Sequence, residues 1–156
     1  MPLKKKLKDF LDDNQIRYVT MIHSSSYTAQ EMAETIHIPG QEIAKTVVLK
    51  EKEKFYLAVV TANHKVDLEA FKKLVSITDV ELPTEKEFMS LFPLCEVGAM
   101  PPFGNLYDLP VYVDQALAED EYIYFNACSL SEVIKMKYSD YQRLVQPTIG
   151  KFGQHI

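Results

Sequence analysis

Cysteine is scarce in this sequence, and that scarcity sets the first bound. Two cysteines, Cys95 and Cys128, among 156 residues cannot form the framework of a disulfide-stapled mini-protein. No apolar run approaches the ~18 residues that a membrane helix needs. The basic opening, Met1 to Lys6, has no apolar stretch behind it and does not read as a signal peptide. Basic residues are in the minority, 17 Lys and Arg against 22 Asp and Glu, for a net charge of −5. That removes the global positive footprint of a nucleic-acid binder, so neither DNA nor a membrane is an expected partner. The four histidines, His23, His37, His64 and His155, are not spaced with one another or with cysteine as zinc motifs require. There is no Walker loop, no dinucleotide-binding glycine signature, no repeat and no low-complexity stretch.

What is present is ordinary globular material, 47% hydrophobic and 25% charged. Its length fits one domain, 1–156, able to bury a core without staples. A cytoplasmic, reducing setting is expected, with Cys95 and Cys128 as buried, inert thiols. The lysines at positions 4, 5, 6 and 8, and those at 50, 52 and 54, read as solvated surface.

Leu3, Leu7, Phe10 and Leu11 fall on one helical face, predicting a helix over 3–13. Residues 17–23 alternate as a strand would. Thr28 and Glu31 have capping-box spacing before a helix that Ile38-Pro39-Gly40 ends. Ile43 to Leu49 and the apolar run Phe55 to Val60 predict a hairpin, the second strand central. Asp67 caps one further helix, and Thr84 with Glu87 caps another. Residues 94–110 carry Gly and Pro and no regular element. Short strands follow at 111–113, 122–125 and 133–136. Ser139 is read as the cap of a last helix over 140–145, and the tail 147–156 as frayed. Irregular alternation of this kind favours a mixed or antiparallel sheet with helices outside.

Three places invite chemistry. Lys45 interrupts a nearly apolar strand, and period-2 geometry puts it on the side of Val47 and Leu49. An inward lysine is costly unless paired or wetted by a pocket. It reads either as a pocket ammonium gripping an anion or as a snorkelling strand-end residue. The loop Cys95 to Gly104 combines Gly98 with Pro101 and Pro102, which stiffen it and permit an unusual backbone path. Its N–H groups from Gly98 to Met100 can hold a carbonyl oxygen, or the loop is only a rigid connection. Asn126 ends a strand beside small residues and lines a pocket or forms a turn.

In order along the chain stand Thr28-Ala29-x-Glu31, Ile43-Ala44-Lys45-Thr46-Val47-Val48-Leu49, Phe55 to Val60, Ala62-Asn63, Val66-Asp67-Leu68, the loop Gly98-Ala99-Met100-Pro101-Pro102, Leu109 to Asp114, and Phe125-Asn126-Ala127. Together they resemble the YbaK and prolyl-tRNA-synthetase-associated editing domains over about residues 23–145. The resemblance implies a mixed α/β fold with a curved, barrel-like sheet and peripheral helices. It implies a trans-acting hydrolase that removes a small amino acid (Ala, Ser, Thr or Cys) from mischarged tRNA, with tRNA for proline the usual theme. No metal or organic cofactor is implied. The partners implied are the acceptor end of aminoacyl-tRNA and an aminoacyl-tRNA synthetase. Lys45 matches the family's pocket lysine, and Gly98 and Pro102 match its Gly-x-x-x-Pro loop. Lys45 and Gly98 are therefore the candidate catalytic residues. His23, Thr46, Ala99, Met100, Pro101, Pro102, Asn126 and Ser129 are the candidate substrate contacts. One stretch departs from the pattern. Relatives often read Asn-Ala-Gly-Thr-His where this chain has Asn126-Ala127-Cys128-Ser129-Leu130. The alternative reading is a non-catalytic member that binds aminoacyl-tRNA or a synthetase.

Overall fold

A computed structural model describes residues 3–23, 29–92 and 95–156. The chain runs through α1 (Leu3–Asp13), β1 (Tyr18–Ile22), α2 (Ala29–Ile36), β2 (Ala44–Glu51), β3 (Lys54–Thr61) and β4 (His64–Val66). Then come α3 (Leu68–Val75), α4 (Glu85–Phe88), β5 (Val111–Asp114), α5 (Gln115–Ala118) and β6 (Tyr122–Asn126). It ends with β7 (Glu132–Lys137), α6 (Tyr138–Val145), β8 (Thr148–Gly150) and β9 (Gly153–His155).

The strands form an antiparallel sheet β1-β7-β6, a mixed sheet β2-β3-β5-β8 and a small pair β4-β9. Among the described residues, a single parallel bridge, Ile43 to Tyr124, joins the first two sheets where β2 begins beside β6. The result is the expected curved, mixed α/β arrangement, without a closed barrel. β3 is central, as its unbroken apolar run predicts: it pairs antiparallel with β2 and parallel with β5. Both of its faces are covered. Leu57 and Val59 join the main core with Leu7, Leu11, Phe103, Phe125 and Tyr141. Tyr56, Ala58 and Val60 pack with Leu49, Phe71 and Phe152 on the opposite side.

Local signals account for the helix starts. Asp67 Oδ1 accepts from the N–H groups of Glu69 and Ala70 at 3.1 and 3.2 Å, capping α3. Thr84 and Glu87 close a reciprocal capping box on α4. Thr28, and with it the other predicted box, lies outside the described residues.

Several expectations need correction. The last helix begins at Tyr138, with Lys137 at the cap and no side-chain cap bond, so Ser139 is not its cap. The tail is not frayed: β8 pairs with β5 and β9 with β4. Buried Asp114 explains why, since its Oδ1 accepts from the N–H groups of Phe152 and Gly153 at 3.0 and 2.8 Å. A side chain at Gly153 would collide with that carboxylate, which is why the turn needs glycine. The N-terminal lysines are not all solvated surface. Lys4 and Lys8 both reach the buried Glu132 carboxylate and dock α1 on β7, while Lys6 donates to Leu106 O at 2.6 Å. Burial alone would raise the Glu132 pKa, but the two ammonium groups overcome it and hold the carboxyl below its usual value.

Candidate functional site

A cleft of about 570 Å³ opens where β2 and β6 part beyond the Ile43–Tyr124 bridge. Lys45, Thr46, Gly98, Met100 and Asn126 all line it. Met32, Val48, Leu82 and Phe88 add apolar wall. Five of the ten residues singled out in the sequence are thus brought to one cavity from three separate stretches of chain.

β2 positions the lysine. Its alternation sends Ala44 and Val48 into the main core and Val47 and Leu49 to the opposite cluster, so Lys45 shares a side with Val47 and Leu49 as expected. The ammonium is half-buried and donates to His64 O at 2.6 Å. Burial lowers its pKa from the ordinary lysine value, because desolvation disfavours the charged form. The carbonyl uses one of its three donor protons, leaving capacity for a ligand.

Two polar atoms in this cleft are buried without a hydrogen-bond partner: Thr46 Oγ1 and Asn126 Oδ1. Such atoms cost free energy in an empty protein and recover it when a ligand supplies the missing bond. Both are positioned to bond a polar group that enters the cleft.

The loop at the other wall follows a path only partly expected. Gly98 has φ +85°, a left-handed conformation that suits glycine. Ala99 is fully buried, and its N–H is committed to Glu96 O at 3.0 Å. It is therefore removed from the set of N–H groups available to a carbonyl oxygen. Among the described residues, no backbone carbonyl takes the N–H of Gly98 or Met100. Pro101 and Pro102 are buried and are not among the cleft-lining residues. Their carbonyls are fastened from behind, by Tyr107 Oη at 2.7 Å and Tyr141 Oη at 2.6 Å. Burial raises the pKa of both tyrosines, so each keeps its proton and remains a donor.

His23 and Ser129 also stay off the cleft wall. His23 follows β1, with its N–H on Ser131 O at 2.9 Å. Ser129 turns inward on its own loop, its Oγ 3.0 Å from Ser131 Oγ.

The expectation of two inert thiols is overturned. Cys95 and Cys128 are buried, but they are joined as a disulfide, with Cα atoms 4.4 Å apart. Spacing gave no hint of this, since the partners are 33 residues apart and no cysteine motif contains them. Leu82, Pro83 and Phe88 form a further stretch of the cleft wall that no local sequence signal announces. Lys50 holds it through a backbone bridge to Glu81 and an ion pair with Glu87. Ile156, beyond β9, lines the cleft as well.

Fold and cleft define a class: a mixed α/β domain with a strand-borne cation facing a glycine loop across an open cavity. The family is that of the aminoacyl-tRNA editing domain, whose model matches residues 23–144, and the chain belongs to it. A proline–tRNA ligase of Bacillus cytotoxicus is 34% identical over 89 residues, covering 57% of this chain and 16% of the ligase. One from Bacillus cereus is 29% identical over 100 residues, 64% of this chain and 17% of the ligase. The chain thus spans under a fifth of these relatives. A crystal structure of a proposed trans-editing enzyme for prolyl-tRNA synthetase superposes with a TM-score of 0.83, at 20% identity over 99% of this chain and 98% of that one. A scaffold protein used for epitope grafting gives 0.82 at 18% identity, over 100% and 99%. At these identities the two structures establish a shared fold. No helix among the described residues is long and apolar enough to cross a membrane.

Proposed function

We propose that this protein is a trans-acting deacylase that hydrolyses the ester joining a small amino acid to the terminal ribose of mischarged tRNA, with tRNA for proline as the leading substrate. The observation that carries the reading is the cleft itself: Lys45, Thr46, Gly98, Met100 and Asn126 share it, and two of their polar atoms lack partners. Such a site answers a real need. A synthetase pocket separates amino acids one methylene apart by only ~10–200-fold, and a second, size-limited site removes the errors.

Water adds to the ester carbonyl, the bond to the ribose oxygen breaks, and that oxygen takes a proton to leave a free amino acid and a free tRNA end. Charge developing on the carbonyl oxygen is met by the N–H groups of Gly98 and Met100. Lys45, as a cation, binds the terminal nucleotide's phosphate or orients the ester. It is not assigned as general base. The free neighbouring ribose hydroxyl orients the water, so no strong protein base is required. The apolar wall of Met32, Val48, Met100 and Phe88 receives the side chain of the esterified amino acid. The acceptor end of the tRNA is the element recognised, alone or with a synthetase.

The test is a deacylation panel with tRNA carrying Ala, Ser, Thr, Cys or Pro, with Lys45→Ala alongside. Rapid loss of one small ester, abolished by the substitution, is expected. The second reading, binding without cleavage, draws on Leu130: this position carries no titratable side chain, and its N–H is held by Glu96 Oε2 at 2.5 Å. Charged tRNA retained but uncleaved would favour it.

A further inference from the structure

The Cys95–Cys128 bond joins two loops, and each loop carries a residue of the cleft. Cys95 lies three positions before Gly98, and Cys128 two positions after Asn126. Around the bond, Cys128 N donates to Ala99 O and Glu96 N donates to Cys128 O, both at 3.0 Å. Leu130 N is held by the Glu96 carboxylate. Cys128 itself sits at φ +65°, a left-handed conformation that disfavours any residue with a Cβ. Its disulfide partner stands on the facing loop.

We infer that Cys95 and Cys128 form a thiol–disulfide site that sets the geometry of the cleft, so that editing depends on the redox state of this pair. The inference rests on reading the cleft as an editing site. In the oxidised chain the crosslink holds Cys128 in its left-handed conformation and fixes the distance between the loop of Gly98 and the end of β6 at Asn126. A dithiol reductant reverses it: one thiolate attacks a protein sulfur, a mixed disulfide forms, and the second thiol displaces the protein. The protein gains two electrons and two protons and holds two thiols, while the reductant leaves as its own disulfide. Cys128 can then relax toward an ordinary backbone conformation, and the Gly98 N–H loses its register with Asn126. The pair acts through these neighbours, so its cysteines are positioning residues.

The test uses the full chain in two states, air-oxidised and dithiothreitol-reduced, with thiols counted by alkylation and mass. Reduction should lower kcat/KM for alanyl-tRNA about tenfold to a hundredfold, in line with the cost of a small misplacement. Reoxidation should restore it. The double variant Cys95→Ala/Cys128→Gly, whose glycine accepts the left-handed conformation, should show one activity in both conditions. Equal activity of the two wild-type states would overturn the inference, as would two alkylatable thiols in the oxidised chain. If neither state cleaves any ester, the editing reading fails by itself. The amide resonances of Gly98 and Asn126 then decide: displacement on reduction upholds the redox-set cleft, and unmoved resonances refute it.

Discussion

The two walls of the cleft are built by different means. Lys45 and Thr46 ride on β2, whose eight residues pair in register with β3 from Ala44–Thr61 to Glu51–Lys54. Gly98 and Met100 sit on irregular backbone that no sheet supports. The strand wall is fixed by a ladder and by cores on both faces of its neighbour. The loop wall is fixed by discrete fasteners: the disulfide, Glu96 on Leu130, and the tyrosines on Pro101 and Pro102. A ladder spreads its stability over many small bonds, whereas each fastener of the loop is a single point of failure. The strand wall should therefore lose function without losing shape, and the loop wall should lose both together.

Four experiments sharpen or break that contrast. Lys45→Ala should have the largest effect, lowering deacylation by roughly 10²–10³-fold with little change in melting temperature. A collapse of the fold would show that the strand wall is not autonomous. Tyr141→Phe should come next. It leaves the buried Pro102 carbonyl unpaired, a loss of ~1–3 kcal/mol, read as a fall in Tm of about 2–4 °C per kcal/mol together with lower activity. Unchanged activity at the lower Tm would dissolve the link between shape and function on this side.

Acid should loosen the seat of α1 while the strand wall holds. The Glu132 carboxylate takes Lys4 and Lys8 and so docks α1 on β7. Its folded pKa lies below the unfolded one, so its stabilisation is present above the ordinary carboxylate value and is lost as pH falls through the folded pKa. Hydrogen exchange in α1 should rise in that window while β2 stays protected, and Glu132→Gln should flatten the dependence. Thr46→Val should be the smallest change and opposite in sign. Removing an unpartnered buried hydroxyl should raise stability by up to ~1 kcal/mol, while affinity for a non-hydrolysable aminoacyl-adenosine falls. A loss of stability would mean that the hydroxyl already has a use in the free protein.

The same contrast explains what the sequence disclosed. Period-2 alternation placed Lys45 correctly, and the apolar run of β3 identified the central strand, because both are local consequences of burial. Capping residues Asp67 and Thr84 were legible for the same reason. The loop wall was not. Nothing local says that Ala99 spends its N–H on Glu96, that Pro101 and Pro102 face two tyrosine hydroxyls, or that Cys95 meets Cys128. Those are contacts between distant segments, decided by the fold. β8 and β9 were missed because three-residue strands carry no periodicity, and their anchor is the carboxylate of Asp114, far away in the chain.

β9 brings Ile156 to the edge of the cleft. Its pairing with β4 sets His155 against His64, the residue whose carbonyl receives the Lys45 ammonium. Ile156 N then bonds Asn63 O at 2.9 Å, and the Ile156 side chain lines the cavity. His155 and Ile156 lie past the segment 23–144 that matches the family. Anything joined to the chain after Ile156, whether an affinity tag or a further domain, begins its path at the doorway of the site.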